Sequence, residues 1–214
     1  DLVPQHLAER TDAIVDRIER GDGEYRSALS MISALTAAID AKDNFTFIHS
    51  MNVSKYAVML AEALHMTDND IEVVRVAGML HDIGKISIPE HILKKTEGLT
   101  PEEYAIMKTH VENSIKMIRY LPNMDYVIPA VVAHHERYDG TGYPRGLKGT
   151  EIPLMGRILT IADCFDAMTA RRPYKQECSI DYAAGELKKN SGTQFDPELV
   201  PVFLSLIEDG KIAG

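Results

Sequence analysis

An imidazole, a carboxylate and an amine arrive together at residues 81–85, HDIGK, directly after the run IEVVRVAGML of 71–80. That run is apolar on more than one helical face, the pattern of a buried helix, so His81 and Asp82 emerge from the interior. A buried carboxylate stays ionised only beside a cation or a full set of donors, since burial alone drives it to take up a proton. Metal ligation is the chemistry this pair fits. Gly84 is expected to end the helix in a left-handed cap, leaving Lys85 projecting just beyond.

Other residues of the same types lie far apart in the chain. His49 follows Ile48 in a long helical segment, His110 comes three residues after Met107, and His134 and His135 precede a glycine-rich stretch. Asp163 is embedded among Ile158, Ile161, Ala162, Phe165 and Met168, with Asp166 three residues on and on the same face. Singly, each has a bland reading as a satisfied core histidine or a helix-face acid. Five histidines and two aspartates on five apolar helices exceed that reading, and the mixture suits Mn, Fe, Ni or Zn rather than Ca. Seven ligands are too many for one tetrahedral site and fit two octahedral ions sharing a carboxylate, with Asp82 the natural bridge. Two ions ~3.5–4 Å apart suit in-line attack on a phosphodiester. Lys85 is then placed to meet a non-bridging or leaving oxygen as a compact positive charge.

The elements that must position these residues read as helices throughout. Residues 6–20 carry a thin apolar stripe ended by GDG at 21–23, a connector; a second helix covers about 25–41. His49 lies in a helix over 44–64. Thr67 with Asp70 starts the helix that delivers His81 and Asp82. Thr100, Pro101 and Glu103 form an N-cap, first-turn proline and capping-box acid for a helix running to about Tyr120, with His110 at the border of its apolar stripe. The next helix spans about 126–137. Adjacent helical positions point ~100° apart, so His134 and His135 reach one centre only near a helix end. Residues 139–149, DGTGYPRGLKG, form a structured loop, and a buried helix covers 154–170. Arg171, Arg172 and Lys175 follow, where cations favour a helix C-terminus. Ser179 caps a helix to about Lys189, and Asp196 with Pro197 starts the last, to Glu208. With no alternating strand pattern, the chain is expected to be all-α, with a connector over 1–24 and one domain over 25–214.

Composition narrows the function classes. A net charge of −9 across 214 residues argues against binding a DNA or RNA polymer or an anionic membrane. No segment approaches the ~20 apolar residues of a membrane span. Cys164 and Cys178 are too few for a disulfide framework, which favours a reducing cytoplasm. The chain opens on Asp1, as an excised or processed piece of a longer protein would.

The ordered series HS at 49–50, HDIGK with IPE at 81–90, GLTPEE at 98–103, His110, HHERYDGTGYP at 134–144, ADCFDAMTARRPY at 162–174 and SGTQFDPELV at 191–200 resembles the HD-GYP branch of the HD phosphohydrolase superfamily. The resemblance covers about Ala38 to Phe203. It implies an all-α HD-domain bundle with an extended GYP loop, acting as a bacterial signalling phosphodiesterase that cleaves cyclic di-GMP to pGpG or GMP. It implies iron or manganese, with nickel and zinc as alternatives, held by His49, His81, Asp82 and Asp163 and by Asp82, His110, His134 and His135. Lys85 would contact the scissile phosphate and Tyr143 lie beside the substrate. Arg172 and Lys175 would hold phosphates, which outranks their helix-dipole reading. A glutamate that serves a third metal in some members is replaced by Phe45, so two metals are favoured over three; Asn52 stands where many members have Arg. An upstream sensory or receiver domain is expected, with the N-terminal helices as candidates for a homodimer contact. Two alternatives stand beside this: a module that senses a cyclic dinucleotide without cleaving it, and a hydrolase of 3′,3′ cyclic GMP-AMP.

Overall fold

The computed structural model describes residues 30–37, 46–170 and 178–212, together with Gly23 and Ser27. The connector over 1–24, Phe45, Arg172 and Lys175 lie outside this set, apart from Gly23. Among the described residues the secondary structure is helical, with a single isolated bridge between Ser191 and Phe195, as the all-α reading expects. Among the described residues no helix is long and apolar enough to cross a membrane. Both cysteines are free.

Helix α1 (Thr46–Ala63) buries Val53, Ala57, Leu60 and Ala61, and the same four-residue row carries His49 inward. It packs against α2 (Asp68–Leu80), whose start is fixed by Thr67, its hydroxyl oxygen accepting from the Asp70 backbone N–H at 3.2 Å. A 3-10 turn (Ile83–Ser87) follows at once, then a short α3 (Glu90–Leu93). The Thr100–Glu103 capping box opens α4 (Pro101–Lys108), with both reciprocal bonds present.

The expected helix to Tyr120 is divided in two: after α4 the chain turns at Thr109 and begins α5 (His110–Ile118). Side chains capture the last carbonyls of α4. Thr109 Oγ1 donates to Ile106 O at 2.7 Å and His110 Nδ1 to Met107 O at 2.7 Å, and such back-bonding competes with continued helix. The helix expected over 126–137 is shorter too, a 3-10 turn (Asp125–Val127) running into α6 (Ile128–Ala133).

Helix α7 (Leu154–Thr169) crosses the middle of the bundle against α1, α2 and α6. Its Phe165 meets Tyr56 of α1 and Phe203 of α9 (Leu199–Glu208) edge-on, at 5.2 and 5.1 Å between centroids. Helix α8 (Ile180–Lys189), capped by Ser179, closes over α7. The interior under these helices is contiguous, from Ile32 through Leu80 and Ile158 to Leu206.

Gly84 is not where a left-handed cap would put it, because it has no positive φ and lies inside the 3-10 turn. A Cβ on it would stand 2.0 Å from the His110 carbonyl oxygen and 2.4 Å from Ser114 N. The position requires glycine for close approach, since α5 is pressed directly onto the turn that follows His81 and Asp82. Ser114 seals the contact, accepting from Gly84 N at 2.8 Å and donating to His81 O at 3.0 Å.

Candidate metal centre

All seven candidate ligands converge. One atom each from Asp82, His110, His134 and His135 forms a group within 4.8 Å of one another, and His49, His81 and Asp163 form a second. Asp82 stands between them: Oδ1 faces His110 Nε2 at 3.3 Å, and Oδ2 faces His81 Nε2 at 3.3 Å and His49 Nε2 at 3.8 Å. One carboxylate thus addresses both groups.

Backbone carbonyls orient three of the imidazoles. His81 Nδ1 donates to Gly78 O at 2.8 Å, His110 Nδ1 to Met107 O at 2.7 Å and His134 Nδ1 to Val131 O at 2.6 Å. A carbonyl only accepts, so Nδ1 carries the proton and each Nε2 presents a lone pair. His134 and His135 sit in the turn that ends α6, the helix end they need. Thr160 Oγ1 of α7 lies 2.9 Å from His134 O and fixes that turn.

His49 is held differently. Its Nδ1 lies 2.7 Å from Asp166 Oδ2, and its Nε2 faces Asp163 Oδ1 at 3.2 Å. Asn52 donates to the other oxygen of Asp166 at 2.8 Å. Asp166 therefore orients the candidate ligand His49, and Asn52 anchors Asp166; the sequence placed Asp166 on the right helix face without its partner.

Burial and neighbouring charges set the protonation of these side chains. Burial lowers the pKa of His134 well below the usual value, brings His135 down to about 4 and also lowers His110, so these three are neutral bases at pH 7. Burial opposes a charge on His49 as well, but Asp163 and Asp166 outweigh it and raise its pKa to about 9. Burial likewise opposes ionisation of Asp82; Lys85, with His81 and His110, holds it well below the carboxylate range. Asp163 is lowered by His49 against the same burial penalty.

Lys85 lies with its Nζ 2.6 Å from Asp82 Oδ2, on the carboxylate rather than clear of it. Tyr143 stacks on His135, centroids 4.8 Å apart and planes 28° apart. Its loop is pinned by Glu136, whose buried carboxylate accepts Arg145 N at 2.7 Å and Leu147 N at 3.0 Å, and its peptide to Pro144 is cis. A cleft of ≈ 270 Å³ opens beside His134, His135 and Tyr143, with Tyr104, Arg137 and Gln194 on its walls.

Do these residues fit a metal? His81 Nε2, His110 Nε2, His134 Nε2 and Asp82 Oδ1 are buried without a hydrogen-bond partner. Orphaned buried polar atoms are costly, and here they are lone pairs converging from separate helices. That donor set is what a divalent transition ion takes.

The family model described as HD domain matches residues 6–199. The chain belongs to the HD-domain family. A curated relative, "Cyclic di-GMP phosphodiesterase" of Thermotoga maritima, is 40% identical over 186 residues, 86% of this chain and 50% of that protein. "3'3'-cGAMP-specific phosphodiesterase 3" of Vibrio cholerae is 39% identical over 168 residues, 78% of this chain and 36% of that protein. The chain thus spans half or less of the length of these two curated relatives. A solved cyclic GMP-AMP specific phosphodiesterase of V. cholerae superposes with TM-score 0.68 at 22% identity, covering 85% of this chain and 49% of that one, which shows the shared fold. Membership in the HD family implies a divalent metal, in keeping with the His/Asp cluster.

Proposed function

We propose that the chain is the catalytic domain of a cyclic di-GMP phosphodiesterase. The observation that carries this is Asp82, with one oxygen turned to each of two groups in which the buried Nε2 atoms of His81, His110 and His134 lack partners. Two divalent ions, iron or manganese, would be held by His49, His81, Asp82 and Asp163 and by Asp82, His110, His134 and His135; when bound they supply positive charge to the phosphoryl oxygens and acidify a water.

The chain's own residues do the rest. Neutral His110, His134 and His135 keep their lone pairs at working pH. Lys85, held at the centre by Asp82, would meet a non-bridging oxygen of the scissile phosphate as a compact positive charge. Tyr143, locked on His135, walls the substrate side. Arg172 and Lys175 are assigned to phosphate contacts by the family resemblance, and the 1–24 segment to a link with an upstream sensory domain.

The test is to quantify metals in anaerobically purified protein, then resolve pGpG and GMP over time from cyclic di-GMP, with 3′,3′ cyclic GMP-AMP in parallel. Turnover of cyclic di-GMP at two metals per chain is expected. The cGAMP-specific relative supports a second reading, which faster cleavage of that nucleotide would establish. Tight binding with no product, metals in place, would replace both with a sensing module.

A further inference from the structure

Lys108 ends α4 beside the cleft, and its surroundings differ from those of the chain's paired lysines. Lys85, Lys94, Lys95, Lys189 and Lys211 each reach a carboxylate within 4.0 Å. Among the described residues no carboxylate approaches Lys108 in this way. Its Nζ rests against two aromatic rings, 5.0 Å from the centroid of Tyr104 and 5.6 Å from that of Tyr143. The rings are nearly perpendicular with centroids 6.3 Å apart, and both line the cleft that contains His134 and His135. Lys108 is half-buried, while Tyr104 is 46% exposed.

A ring quadrupole attracts an ammonium but neutralises none of its charge and occupies none of its acceptor sites. Lys108 therefore brings a positive charge to the rim of a cleft lined by His134 and His135. On a chain of net charge −9, an anionic ligand gains from a cation held there. Tyr143 connects the two places, since its ring touches His135 at the centre and Lys108 at the rim.

A cyclic dinucleotide carries two phosphodiesters in one ring, and only one of them can lie at Asp82 and Lys85 at a time. We propose that Lys108 binds the second, uncleaved phosphate, with Tyr104 as the residue that positions it. This rests on the proposed function and adds a binding residue distinct from Arg172 and Lys175. It makes recognition of the substrate depend on a second phosphate as well as on the reacting one.

The experiment compares wild type with Lys108→Met, Lys108→Arg and Tyr104→Leu, each checked for metal content and melting temperature. Cyclic di-GMP is assayed by equilibrium binding and by turnover, beside bis(p-nitrophenyl) phosphate, a diester with no second phosphate. In Lys108→Met, Kd and KM for cyclic di-GMP rise about tenfold. The loss falls on KM rather than kcat, and the KM ratio of the two substrates shifts by the same factor. Lys108→Arg recovers most of it, and Tyr104→Leu moves the ratio less, in the same direction. Raising ionic strength weakens wild type more than Lys108→Met. An unmoved ratio at full metal content, with wild type active on cyclic di-GMP, overturns the role of Lys108 alone. An equal rise for both substrates places Lys108 at the scissile phosphate and also overturns it. A wild-type chain that neither binds nor cleaves a cyclic dinucleotide overturns the proposed function, and this role with it.

Discussion

Replacing Gly84 with alanine tests whether the centre depends on the close approach of α5 to the HDIGK turn. The added methyl would stand 2.0 Å from His110 O, 2.4 Å from Ser114 N and 2.8 Å from Ser114 Oγ. Carbon and carbonyl oxygen settle near 3.3 Å, so the start of α5 must retreat by roughly 1 Å. Two of the three clashing atoms are backbone, so no rotamer change relieves them. Ligand distances tolerate only about 0.2 Å, and the retreating residue is His110 itself, whose Nε2 faces Asp82 Oδ1. Overpacking costs about 1–3 kcal/mol, and loss of the bond from Gly84 N to Ser114 Oγ adds about 1–3 kcal/mol. Metal analysis of Gly84→Ala should find about one ion per chain, retained by His49, His81 and Asp163, with activity down at least about a hundredfold. Ser114→Ala is the control, since it removes the hydrogen bond without the push and should cost stability with less loss of metal. A Gly84→Ala protein with two metals and near wild-type turnover would refute the reasoning.

Asp166→Asn should weaken metal binding at His49, His81 and Asp163 about 10–100-fold by removing the carboxylate that orients His49, measured by chelator competition; unaltered affinity would contradict that role. Metal loading should depend on pH differently at the two groups. Without metal, His49 keeps a proton up to about pH 9, and a bound ion must displace it, so affinity there falls about tenfold for each unit below that value. His135 is already neutral above about pH 4, and His110 and His134 are also lowered, so the other group should bind almost independently of pH near neutrality. Calorimetric titrations in a pH series that gave equal slopes for both ions would contradict this. Glu136→Ala should loosen the 139–149 loop while leaving the helices intact, since two backbone N–H groups lose a charged acceptor worth about 1.5–3 kcal/mol each. Hydrogen exchange at Arg145 and Leu147 should speed up selectively; unchanged protection would count against the clamp.

The convergence of the seven candidate ligands was legible because each interrupts an apolar helical pattern with a group that burial alone cannot explain. Caps were legible for a local reason: Thr67, Thr100 with Glu103, and Ser179 bond to residues three positions away. The divided helix at Thr109 was not, because its apolar stripe continues through the break while the cause is capture of carbonyls by Thr109 and His110. Asp166 and Asn52 are 114 residues apart, and their bond exists only once α1 lies on α7. Gly84 had the right identity for another reason, since a glycine needed for close contact and a glycine needed for positive φ look alike in sequence. Lys108 carried no signal, because its partners are ring faces assembled from two separate segments.

The carbonyls that hold His81, His110 and His134 belong to Gly78, Met107 and Val131, in the last turns of α2, α4 and α6. Helix ends leave such carbonyls without an internal partner, whatever the side chains are. Aim at the centre is therefore specified by the main chain, and at Met107 and Val131 it survives substitution so long as the helices stop where they do, whereas a Cβ on Gly78 would stand 2.7 Å from Ser54 Cα of α1. Evolution can rewrite much of the surrounding sequence and keep the donors directed. Conversely, a change that merely extended α4 through Thr109 would turn His110 away from the centre without altering a single ligand.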